Sequence, residues 1–160
     1  MDIKNLDHLG LVAGTIDEIG IEEIINKRLG ESKTEKISAG RVVKAMIINA
    51  LGLFSSPLYL FSNFFEGKAI EHLIGEKIES SYLNDDRLGR VLDKLYKIGI
   101  GEIFITVVLE AIKQYNINIK TAHLDATSFC VHGEYNYPEL ESNIAEPRPI
   151  KITHGYSLLS

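Results

Sequence analysis

In several segments between residues 16 and 115 the apolar residues recur every three or four positions, separated by glycines, by a polar run at 31–37 and by Ser55-Ser56-Pro57. A spacing near 3.6 gathers apolar side chains on one face of a helix, whereas a half-buried strand needs a spacing of two. These segments are therefore predicted to be helices, and the N-terminal part a domain of five or more of them. Thr15 and Glu18 have capping-box spacing, and the helix they open should bury Ile16, Ile19, Ile21, Ile24 and Ile25. Gly20 is placed to split that helix and Gly30 to end it. Residues 31–37 are polar and read as a loop. Ser38 is the predicted N-cap of a helix over residues 40–53, with Val43, Met46, Ile47, Ala50 and Leu51 inward and Arg41 and Lys44 outside.

Pro57 suits the first position of the next helical segment. Its Leu58, Leu60, Phe61, Phe64 and Phe65 read as core rather than as a platform for bases. Gly67 and Gly75 bracket a short amphipathic piece at 69–74. Asn84 caps the clearest helix, with Asp85 and Asp86 beside the positive end of its dipole. Leu88, Val91, Leu92, Leu95 and Tyr96 form its apolar face, and Arg87, Arg90, Lys94 and Lys97 an outer basic stripe. After Gly99 and Gly101, a helix near residues 102–115 is apolar on nearly every side, which predicts a central position.

At residue 117 the period changes. Ile117, Ile119, Leu124, Ala126, Phe129 and Val131 predict a strand buried on at least one face. Within it lies Asp125, in the run T-A-H-L-D-A-T-S-F-C-V-H. A buried carboxylate is costly unless it is hydrogen-bonded, paired or bound to a cation, so Asp125 is either a satisfied strand-end acid or a metal ligand. His123 and His132 flank it, but no third ligand has convincing spacing. Residues 133–149 are acidic and rich in Asn and Pro, an exposed loop by composition, and the run P-I-K-I-T that follows suits a short second strand. The expected organisation is a helical domain at 1–116 and the start of an α/β unit at 117–160.

Composition narrows the classes further. With 160 residues, 45% of them hydrophobic, the chain suits one domain plus a piece of another. The single cysteine, Cys130, excludes an internal disulfide and is compatible with a reducing cytoplasm. Asp2, Lys4 and Asp7 interrupt any signal-peptide pattern, and no uncharged apolar run reaches membrane-spanning length. A cytoplasmic protein without membrane contact is expected. The net charge of −5 means that any nucleic-acid binding must use a local patch.

Four segments, H-L-G-L-V-A-G-T-I-D-E-I-G-I, Y-L-N-D-D-R-L-G-R-V-L-D-K-L-Y, H-L-D-A-T-S-F and I-T-H-G-Y-S, occur in this order. In order and spacing they resemble bacterial insertion-sequence transposases of the DDE type, whose catalytic domain has an RNase H-like fold. The resemblance runs to about Ser157. It implies a mainly α chain, in which a helical N-terminal domain precedes the first strands of an incomplete RNase H-like α/β domain. It implies that Asp125, in D-A-T-S, is the first catalytic carboxylate and a ligand of Mg²⁺. The family's reaction is cut-and-join transfer of DNA, run by two cations on converging carboxylates. Its second Asp and later Glu have no counterpart here, because Glu134, Glu139, Glu141 and Glu146 all fall in the Pro-rich loop. The expectation is a truncated, catalytically incomplete chain in which Mg²⁺ is not productively bound.

Two basic groupings compete for DNA. On the outer stripe, Asp86 with Arg90 and Asp93 with Lys97 have the spacing of i,i+4 pairs, which makes a merely solvated face. Between residues 27 and 44, six basic residues stand against two acidic ones. Lys27, Arg28, Arg41 and Lys44 are therefore the preferred DNA contacts. Two functions follow. One is a transposase polypeptide that recognises the DNA ends of its element. The other is a non-catalytic helical module that binds DNA, or associates as a homo-oligomer or with full-length transposase and inhibits transposition.

Overall fold

A computed structural model describes residues 4–30, 35–52 and 56–120. The chain divides into two units, Met1–Lys120 and Thr121–Ser160. The second lies outside the described residues, and with it the expected strand through Asp125, the 133–149 loop and the short strand after it. Residues 117–120 carry no regular structure.

The described residues form seven α-helices: α1 (Leu9–Ile19), α2 (Ile21–Leu29), α3 (Ala39–Ala50), α4 (Phe61–Phe64), α5 (Ile70–Leu73), α6 (Asp85–Ile98) and α7 (Ile100–Gln114). Short 3₁₀ turns at Leu58–Leu60 and Ser80–Tyr82 lead into α4 and α6. No strand occurs among these residues; a single parallel bridge joins Asn5 to Lys68.

Helix α1 begins well before the predicted capping box. Leu9, Ala13 and Ile16 are buried at helical spacing, and that burial carries the helix upstream of Thr15. Thr15 thus sits inside the helix and its hydroxyl donates to the Leu11 carbonyl at 3.0 Å. A cap contributes about 1 kcal/mol, less than one buried leucine. Gly20, at φ 76°, ends α1 and starts α2, and Gly30, at φ 75°, ends α2.

Helix α3 is the centre of the unit and packs on α1, α2 and α6. The Ser38 hydroxyl accepts the Arg41 amide at 3.2 Å, as its cap spacing predicts. The buried face, however, is turned from the predicted one. Ala39, Val42, Ala45 and Ile48 are buried, Val43, Met46 and Ile47 only partly so, and Ala50 and Leu51 are exposed. Small residues explain the turn, because they let α2 come against the α3 backbone. At Gly40 a Cβ would stand 2.3 Å from the Glu22 carbonyl oxygen. The Gly40 amide donates instead to the Asn26 side chain at 2.7 Å.

Phe61, Phe64 and Phe65 are buried, as expected of core aromatics, while Leu58, Tyr59 and Leu60 remain exposed on the 3₁₀ turn. In α6 the Asn84 side chain accepts the Arg87 amide at 2.9 Å. Leu88 and Val91 are fully buried, which contributes roughly 1.5–3 kcal/mol each. Leu92 and Tyr96 are exposed, so the buried face is narrower than the sequence pattern.

The expected central position of α7 is overturned. Ile103 is its one buried residue; Phe104 is 65% exposed, and Ile100, Ile105 and Leu109 are exposed as well. Helix α7 rests against α1 and α2 by one edge. Apolar residues all round a helix signal burial only if protein surrounds it, and periodicity does not test that condition.

Candidate nucleic-acid interface

The four predicted DNA contacts differ in exposure and in partner. Lys27 and Arg28 occupy the last turn of α2 and are exposed, with their charge favourably placed at the negative end of the helix dipole. Arg28 reaches toward α7, donating to the Thr106 hydroxyl at 3.3 Å and standing 3.8 Å from the Glu102 carboxylate. Arg41 is half-buried, and its Nε meets the Glu22 carboxylate at 3.0 Å. Lys44 is buried and its ammonium is hydrogen-bonded to Asp17. A buried ammonium requires such a partner; in this conformation Lys44 presents no charge to a phosphate.

The stripe on α6 is arranged differently. Arg87 makes a two-pronged contact with Glu35, both bonds at 2.8 Å, and donates to the Ile37 carbonyl at 2.7 Å. Lys94 reaches the same carboxylate at 3.3 Å. The hydrogen bond from Arg87 is the main reason that the Glu35 carboxyl is held below the usual carboxylate value, against the opposing effect of burial. Glu35 is therefore ionised at neutral pH, and it pins segment 35–37 to α6. The buried Arg87 Nε has no partner among the described residues.

Above this clamp lies an open cleft of about 700 Å³. Lys36 stands on one side with its ammonium 5.0 Å from the centre of the Tyr82 ring. Arg90 lies on the other side, paired at 3.0 Å with Asp86, and both partners are largely exposed. That pair has the i,i+4 spacing expected from sequence. Lys97 is exposed one turn beyond Lys94, and it makes no ion pair with Asp93 among the described residues. Sequence reasoning found the stripe but missed the Glu35 clamp and the Lys36–Tyr82 contact, since both join residues far apart in the chain.

Asp125 lies outside the described residues. Among those described, no group of three or more His, Cys, Asp or Glu could hold a metal ion, and no helix is long and apolar enough to cross a membrane. A family model described as a domain of unknown function, DUF4277, matches residues 1–109. No curated protein and no solved structure matches the chain.

Proposed function

The chain belongs to the DUF4277 family, and from that premise we propose that its helical unit is the DNA-recognition part of a transposase of the insertion-sequence DDE type. The observation that carries the proposal is where the charge lies. On a chain of net charge −5, accessible cations gather at the end of α2, on segment 35–37 and along α6. Local positive potential on an acidic chain fits a partner that is itself a dense polyanion. The order of the four transposase-like sequence segments supports the same partner, the DNA ends of a mobile element. By the same resemblance Asp125 is proposed as the first catalytic carboxylate and an Mg²⁺ ligand.

Fluorescence anisotropy with labelled duplex DNA tests the proposal. Binding should weaken steeply as salt rises from about 50 to 200 mM, because each neutralised phosphate releases counterions. A chain that binds no duplex at low salt is not a DNA-recognition module.

A second function, self-association, is favoured by the outer side of α7. Ile100, Phe104, Ile105 and Leu109 expose on the order of 400 Å² of apolar side chain, the size of patch that commonly marks an interface. Two copies of α7 laid antiparallel would set Glu102 of each against Lys113 of the other. Analytical ultracentrifugation decides it: Phe104→Glu should shift an assembled species toward monomer, and a wild type monomeric at all concentrations would exclude it.

A further inference from the structure

Resting on the DNA-recognition function above, we propose that the cleft between segment 35–37 and α6 is where backbone phosphates of duplex DNA bind. Lys36, Arg90 and Lys94 make the contacts, and Arg87 acts as the positioning residue beneath them. Four basic side chains line this cleft against two acidic ones, Glu35 and Asp86, leaving it positive on an acidic chain.

The cations differ in what they can still do. Arg87 is committed, since its terminal nitrogens are spent on Glu35 and the Ile37 carbonyl. It fixes the floor of the cleft. Lys94 touches Glu35 through one longer bond and is still 41% exposed, so two of its donors remain for another anion. Arg90 is held only by Asp86, in a pair with both partners in water, and such pairs contribute at most a few tenths of a kcal/mol. A phosphate can displace that carboxylate at little cost, and a guanidinium fork suits phosphate oxygens well. Lys36 is already oriented over the Tyr82 ring, which reduces the side-chain ordering that binding would otherwise require.

Spacing agrees with the ligand. Arg90, Lys94 and Lys97 extend along roughly 10 Å of helix at ~1.5 Å per residue. Duplex DNA carries one phosphate charge per ~1.7 Å of axis, so each of these cations can meet its own phosphate. The α2 residues preferred from sequence offer no equivalent row. Lys27 and Arg28 sit side by side in one turn, and Arg28 is already directed at α7.

The test compares three variants of the full chain, each binding labelled duplex across a salt series, with the helical circular-dichroism signal checking the fold. Arg90→Gln/Lys94→Gln should lower affinity roughly hundredfold at ~50 mM salt and reduce the slope of log K against log salt by about 1.8. Lys27→Gln/Arg28→Gln removes the same charge and should cost about threefold or less. Asp86→Asn frees Arg90 and should tighten binding. If the α6 double variant loses helix, Lys36→Gln, on an exposed residue outside any helix, decides in its place with a loss of roughly tenfold. Wild-type affinity in the α6 variants together with loss in the α2 variant would overturn the cleft and leave DNA binding standing. Absence of salt-sensitive binding by the wild type would overturn DNA recognition itself, and the cleft with it.

Discussion

Replacing Glu35 by alanine, which removes the ion pairs with both Arg87 and Lys94, should destabilise the helical unit far more than loss of an exposed pair such as Arg90 with Asp86. The carboxylate accepts two bonds from Arg87 at 2.8 Å and one from Lys94 at 3.3 Å. Hydrogen bonds to charged groups contribute about 1.5–3 kcal/mol each where solvent is excluded. Here Glu35 is partly exposed and Lys94 more so, so screening removes part of that. Removing the acid also leaves two like charges facing one another, with only the Ile37 carbonyl to serve Arg87. A loss of about 2–3 kcal/mol follows. For a chain of this length that corresponds to a fall in Tm of roughly 5–10 °C. Arg90→Ala, which breaks the exposed pair with Asp86, should cost about 0.5 kcal/mol or less.

Urea denaturation followed by circular dichroism gives both numbers, and pH supplies a second check. The folded state holds Glu35 below its ordinary value of 4.5. Its contribution is therefore complete above that pH and lost as pH falls through the lower folded value. The gap between wild type and Glu35→Ala should be constant near neutrality and close in acid. A variant within 0.5 kcal/mol of wild type at pH 7, or a gap that persists unchanged at low pH, would refute the clamp.

Further outcomes are expected elsewhere in the unit. Gly40→Ala should cost about 1–3 kcal/mol or more by chemical denaturation, since the new methyl would overlap the Glu22 carbonyl. Ile48→Ala, at a fully buried site on α3, should cost about 2–5 kcal/mol in the same assay. Lys44→Met should keep stability within about 1 kcal/mol, because Asp17 can turn to water. Its affinity for duplex DNA should equal the wild type's in anisotropy. Asn84→Ala should cost about 1 kcal/mol through loss of the α6 cap.

Several features that depend on neighbours in the chain were legible in the sequence, although burial of Leu9 and Ala13 overrode the Thr15 capping box. Ser38 and Asn84 each cap an amide three residues on, and Gly20 and Gly30 take positive φ where the helical pattern stops. Features that depend on what lies across the core were not. The face that α3 buries is chosen by the close approach of α2 at Gly40, and no periodicity encodes a neighbour's distance. The residues of α7 are as apolar as those of a central helix, but they lack the cover of one. Among the candidate contacts, charges were legible in the sequence but their partners were not. Lys44 and Arg41 looked accessible because Asp17 and Glu22, which hold them, come from preceding helices. The stripe on α6 looked like a solvated face because Glu35, which organises it, is 52 residues away from Arg87.

That long separation also fixes when the cleft can exist. Segment 35–37 follows α2, whereas both cations that grip Glu35 belong to α6 and follow every residue of α3, α4 and α5. Closing so long a loop is entropically unfavourable until the intervening helices have packed and shortened it. A nascent chain in which α1 to α3 have folded holds Glu35 beside Lys36, without Arg87, Arg90 and Lys94. Only when α6 docks do its three cations join Lys36 around the carboxylate. The cleft is thus a late product of folding: the finished chain alone gathers these four basic side chains around one carboxylate.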